Sequence, residues 1–126
     1  MTRRVVRSSK APAPIGPYNQ GILASGTFLF VAGQGSKDPT TGTAPAEFRD
    51  RVARCIENVK AVVEEAGATL ADVVRVGVFL ADMGKFKEFN EVYGSYFRDP
   101  FPARTTVQAV LPAGTDVEID AVAVLK

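Results

Sequence analysis

The stretch "NVKAVVEEAGATLADVVRVGVFLADM", Asn58 to Met83, changes its hydrophobic period halfway along. Its first part continues a stripe formed by Phe48, Val52, Cys55, Ile56, Val59, Val62, Val63 and Ala66, which recur at helical spacing. Pro45 suits the first turn of that helix, and Gly67 is placed to end it. Beyond the glycine, "DVVRVGVFLAD" reads as a strand that is apolar on both faces. Asp82 can then cap a second helix, whose stripe runs through Phe86, Phe89, Tyr93, Tyr96 and Phe97 until Pro100 stops it.

Downstream, "FPARTTVQAV", Phe101 to Val110, is a strand entered from a proline, followed by the turn "PAGTD" and a last strand "VEIDAVAVL". Upstream, "RRVVRSS" reads as a first strand and "APAPIGPYNQG" as a proline-stiffened loop. Two short strands follow, Ile22–Ala24 and Phe28–Ala32, joined at Ser25-Gly26 and trailed by the turn-rich "GSKDPTTGT". The order βββαβαββ over residues 1–126 predicts one α+β domain with two helices on one face of a mixed sheet. Yet "FLFVA", "VVRVGVFL" and "DAVAVL" are apolar on both faces. The chain has no further element for the second face, so a second copy is its economical cover.

Composition narrows the function classes. The 126 residues are 46% hydrophobic and 23% charged, as in a globular domain, and the net charge of +1 gives no bulk attraction to nucleic acid or membrane. The longest apolar runs are too short to span a bilayer. With no histidine and one cysteine, Cys55, most transition-metal sites and the usual Ser-His or Cys-His machinery fall away. No metal or cofactor is expected. A lone cysteine also fits a reducing, cytoplasmic compartment. Cys55 lies inside the helical stripe and reads as a small core hydrophobe. The opening "MTRRVVRSSK" is basic and acid-free like a transit peptide, but "RRVVRSS" lacks helical amphipathic spacing and suits a strand better.

Four polar features stand out, each with two readings. Arg104, at the mouth of its strand, is either a solvated strand end or a planar clamp for a carboxylate. Glu118 and Asp120 share one face of the last strand, as a solvated edge or as acids for proton transfer. Asn90 sits on the apolar stripe of the second helix between Phe86 and Tyr93, to pin a loop or to meet a ligand. Tyr18 stands in a loop stiffened by Pro14 and Pro17, either packing or facing a cleft.

Taken in order and spacing, "APAPIGPYNQG", "FVAGQ", "PTTG", "NVKAVVEEAGATLADVVRVGVFLADM", "FNEVYGSYF", "FPARTTVQAVLP" and "VEIDAVAV" resemble the Rid/YjgF family from about Ala11 onward. The resemblance implies a chorismate-mutase-like fold assembled as a homotrimer with clefts between subunits. It implies cofactor-free hydrolysis of reactive enamines and imines, such as 2-aminoacrylate and 2-aminocrotonate, to 2-keto acids and ammonia. Arg104 matches the family's carboxylate-binding arginine, and Glu118 the acid that orients the attacking water. Tyr18 matches the loop tyrosine at the cleft, Asn90 the pocket asparagine and Gly33 the glycine whose backbone lines the site. Asp120 has no such counterpart. Members of the family's archetypal deaminase group commonly carry Ser where this chain has Ala32 and Cys where it has Thr106. Thr106 keeps a hydroxyl able to bond a carboxylate, whereas Ala32 keeps no donor. Two other functions go with such a chain: an endoribonuclease or translation inhibitor, and a non-catalytic ligand-binding or chaperone-like trimer.

Overall fold

Gly67 is a real boundary in the computed structural model, which describes residues 3–125. Helix α1 spans Phe48–Glu65 and buries Phe48, Val52, Cys55, Ile56, Val59 and Val63. The chain leaves it through Gly67 at φ +86, a left-handed conformation that suits glycine. There the Ala68 N–H donates to Val63 O and the Gly67 N–H to Glu64 O, the paired bonds of a Schellman motif. Two members of the expected stripe lie outside the core. Val62, on the flank of the arc, is 37% exposed, and Ala66 is the exposed C-cap residue. Pro45 also falls outside the first turn, because the N-cap is Glu47. The approach to the helix is held instead by Arg51, which donates to the carbonyls of Pro45 and Ala46 and pairs with Asp116 at 2.8 Å.

The second helix, α2, spans Phe86–Tyr96. It is entered through a 3-10 turn at Met83–Lys85, and Asp82 caps that turn by accepting the Gly84 N–H at 2.8 Å.

Strands β1 to β6 are Arg3–Val6, Gly21–Ala24, Thr27–Gln34, Val73–Leu80, Ala103–Gln108 and Val117–Leu125. Four of them form a mixed sheet in the order β3-β6-β4-β5, with β4 and β5 parallel through the α2 crossover. The fold is therefore α+β, as the element order predicts. One detail differs. β1 and β2 pair only with each other, as an antiparallel hairpin beside the sheet. After Ser25-Gly26 the chain takes the nine-residue β6 as its partner, a longer apolar ladder than the four residues of β2 could offer. Met1 and Thr2, which belong to the basic opening, lie outside the described residues, as does Lys126. Among the described residues, no helix is long and apolar enough to cross a membrane.

Register decides what each sheet face carries. Val76 is level with Arg104 and Ala121, and Val78 with Thr106 and Ile119. Cross-strand neighbours share a face, and on this one Val76, Val78, Ile119 and Ala121 lie under the helices with Val52, Ile56, Phe89 and Tyr93 in one core. Gly77 is level with Thr105 and Asp120, and Phe79 with Val107 and Glu118, so these occupy the opposite face. That face is uncovered in the single chain: Phe28 is 53%, Phe30 73% and Val107 40% exposed. Cys55 is the core hydrophobe its position suggests. Its thiol lies 3.5 Å from Val117 O, and burial pushes its pKa up to about 12.

Candidate active site

Arg104 enters β5 on the helix-facing side and is only 8% exposed. Four aromatic rings surround its guanidinium carbon, with centroids at 4.8 Å (Tyr93), 5.3 Å (Tyr18), 5.5 Å (Phe89) and 5.8 Å (Phe86). Their electron-rich faces favour a cation. Burial still lowers its pKa below the ordinary guanidinium value, opposed by Tyr93 and Tyr18.

Of the five N–H donors of a guanidinium, one goes to Asn90 Oδ1, from Nη2 at 2.7 Å. Nε and Nη1 are buried with no protein partner, and so is Thr106 Oγ1, two residues along the same face. Among the described residues, no carboxylate lies within ion-pair distance of Arg104. A buried cation without an acid is costly to keep. Here it borders a cavity of about 480 Å³ walled by Ile15, Tyr18, Met83, Phe86 and Thr106. The arrangement suits a small anion with an apolar body. Arg3 makes the contrast. It borders another cavity, of about 460 Å³, but commits both terminal nitrogens to the carbonyls of Ala71, Val73 and Pro100.

The loop before β2 forms the outer wall. Asn19, 4% exposed, donates from Nδ2 to Phe101 O at 2.7 Å and from its backbone to Pro102 O at 3.1 Å. These bonds tie the loop to the mouth of β5 and set the Tyr18 ring over Arg104. The Tyr18 hydroxyl accepts the Ile15 N–H at 3.2 Å, so this tyrosine both packs and lines the cavity. At Gly16 the backbone passes so close that a Cβ would meet Asn90 Nδ2 at 3.2 Å and Arg104 Nη2 at 3.6 Å. Asn90 thus aims the guanidinium from α2, beneath the loop.

Glu118 and Gly33 form a second group, elsewhere. Glu118 projects from the opposite sheet face, with β4 between its strand and β5. Its carboxylate lies across Gly33, where β3 shifts register between Val31 and Gln34. A Cβ on Gly33 would overlap Glu118 Oε2 and stand 2.8 Å from its Cδ. Ala32 is exposed beside it, and Asp120 lies one level away on the same face, across from Gly77. Gly33→Ala is expected to fold normally, because the atoms it displaces end a flexible side chain, but to swing the carboxylate off its present line. Turnover should fall by at least about tenfold with an unchanged melting temperature. Equal turnover in the two proteins would deny Gly33 that role.

The structure therefore brings Tyr18, Asn90, Arg104 and Thr106 together, and Gly33 with Glu118, without joining the two groups in one chain. Three wall residues carry no polar mark in the sequence: Ile15, Met83 and Phe86. Phe86 reads there as core, although its position one helical turn before Asn90 is a signal that it faces the same cavity. Asn19 lies inside "YNQG", where nothing in the spacing shows that its amide reaches a residue 82 positions away.

A family model described as Endoribonuclease L-PSP matches residues 8–125. A RutC family protein of Pyrococcus abyssi is 46% identical over 125 residues, 98% of each chain. The 2-iminobutanoate/2-iminopropanoate deaminase of Capra hircus is 39% identical over 126 residues, covering 98% of this chain and 91% of that protein. A crystal structure of E. coli TdcF with bound serine superposes with a TM-score of 0.76 at 38% identity, covering 98% of this chain and 99% of that one. Matched along nearly its whole length in sequence and in fold, the chain belongs to the Rid/YjgF family.

Proposed function

We propose that this protein is a 2-iminobutanoate/2-iminopropanoate deaminase-like hydrolase, which converts short 2-imino acids and their enamine tautomers to 2-keto acids and ammonia. The observation that carries this is Arg104: a buried cation with no acid partner among the described residues and free donors beside an apolar cavity. Its natural complement is a carboxylate on a short carbon skeleton. The serine bound by TdcF has that form, and the deaminase of Capra hircus acts on molecules of that class.

Arg104 and Glu118 lie on opposite sheet faces, so one chain alone cannot set both against a small substrate. A cleft between protomers can, with Arg104 from one and Glu118 from its neighbour. The uncovered face bearing Glu118, Phe28, Phe30 and Val107 supports such packing, and the resemblance to the family implies three protomers with three equivalent clefts.

In this cleft the Arg104 fork, with Thr106 Oγ1, holds the substrate carboxylate, and the imine carbon stands at a fixed distance from it. Glu118 accepts a proton from water as the water oxygen adds to the protonated C=N carbon. The proton passes to the nitrogen of the carbinolamine. The C–N bond then breaks as the carbinol oxygen forms the C=O bond and its hydroxyl proton returns to Glu118, leaving the keto acid and ammonia, which carries that proton away as ammonium. Since the protonated imine is already electrophilic, the protein's work is orientation. Neither a metal nor a cofactor enters these steps. Nucleic acid is a poor fit for a site with one central cation and apolar walls, which disfavours the endoribonuclease reading.

The test is to generate 2-imino acid in place with a serine or threonine dehydratase and time keto-acid formation. Faster release with this protein present is the expected result. An unchanged rate, with keto acids still bound, would leave a non-catalytic binder.

A further inference from the structure

Tyr93 belongs to no part of the chemistry above, yet its ring lies nearest to the Arg104 guanidinium, 4.8 Å from the centroid. It is fully buried on α2, and its hydroxyl has no protein partner. Burial raises the phenol's pKa despite the nearby arginine, so it stays neutral. Since no bond holds the hydroxyl, the ring is placed by packing alone. Phe97 stacks on it at 4.5 Å and 20°, and Phe89 lies at 5.6 Å. Asn90 fixes only one corner of the guanidinium, through Nη2. A planar cation held at one corner can still tilt, and a flat ring beside it limits that tilt.

We propose that Tyr93 is a positioning residue for Arg104: backed by Phe97, its ring sets the plane in which the guanidinium meets an anion. This rests on Arg104 being the carboxylate clamp. It follows that the aromatic face matters and the hydroxyl does not. The rings of Tyr18 and Phe86 do not duplicate the role, since both line the cavity wall, and Phe89, in the core with Tyr93, stands farther from the guanidinium at 5.5 Å.

The test compares Tyr93→Phe with Tyr93→Leu, reading the dissociation constant of 2-oxobutanoate by calorimetry well below each melting temperature, and KM and kcat in the dehydratase-coupled assay. Tyr93→Phe should bind within about twofold of the parent, because the ring face is kept. Tyr93→Leu should weaken binding by about tenfold and raise KM by a similar factor, with a smaller change in kcat. A purely structural tyrosine would lower the melting temperature in Tyr93→Leu and leave the dissociation constant unchanged, which would overturn the proposal. So would a loss of binding in Tyr93→Phe equal to that in Tyr93→Leu. If Tyr93→Leu does not fold, Tyr93→Met refills most of the volume without a ring and is held to the same expectation. Arg104→Ala separates the two levels: if it too binds normally, the clamp itself is wrong, whereas weak binding there beside normal binding in Tyr93→Leu rejects only the positioning role.

Discussion

Arg104→Lys is expected to fail nearly as badly as Arg104→Ala, although it keeps the charge. Lysine has no planar fork, and its single nitrogen cannot serve Asn90 Oδ1 and both oxygens of a substrate carboxylate in one geometry. Removing a charge-assisted bidentate pair of hydrogen bonds from a buried site costs roughly 2–4 kcal/mol, hence about 30- to 1,000-fold in kcat/KM. The defect should appear in keto-acid binding as well as in rate, because the clamp acts on substrate and product alike. The fold should survive, as the aromatic rings around the guanidinium belong to a core that extends well beyond it. Kinetics and calorimetry on the two variants check this. Normal 2-oxobutanoate binding by Arg104→Ala would reduce Arg104 to a strand-end arginine.

Glu118→Gln is expected to separate binding from turnover. Glutamine keeps the size and hydrogen-bonding reach of the side chain but cannot accept the proton that water gives up. A general base contributes on the order of 10²–10⁴-fold, and kcat should fall by that much. The dissociation constant for 2-oxobutanoate should stay within about threefold of the parent, because the carboxylate clamp is untouched. Loss of binding together with rate would mean that Glu118 shapes the cleft instead of acting on water.

How much of the fold and site is legible in the sequence depends on the range of the interaction concerned. β6 begins and ends where its alternating residues do, at Val117 and Leu125, because a strand's period is a local property. Gly67 marks the end of α1 for the same reason: the left-handed cap needs only its own residue. Pairing is not local. Nothing within "RRVV" or "GILA" says that these strands leave the main sheet, since that depends on β6, about a hundred residues on. At the site, Glu118 and Asn90 are marked by being polar within apolar patterns, Arg104 by its place at the mouth of a strand, and Tyr18 by its proline-stiffened loop. Their grouping is not marked. Whether Arg104 and Glu118 share a face follows from their common partner β4, in which Val76 is level with one and Phe79 with the other. That offset of odd parity exists only once three strands are in register. Asn19 and Gly16 carry no local mark because their work is to hold a loop against a distant strand and helix.

We propose that the working cleft takes Arg104 from one protomer and Glu118 from the next. Co-expressing Arg104→Ala and Glu118→Gln under two different tags, and isolating the species that carries both, tests it most directly. Each parent assembly should be nearly inactive. In a mixed trimer about one cleft in three would carry both native side chains, so close to a third of the native kcat should return. A doubly tagged assembly as inactive as either parent would contradict a cleft shared between protomers.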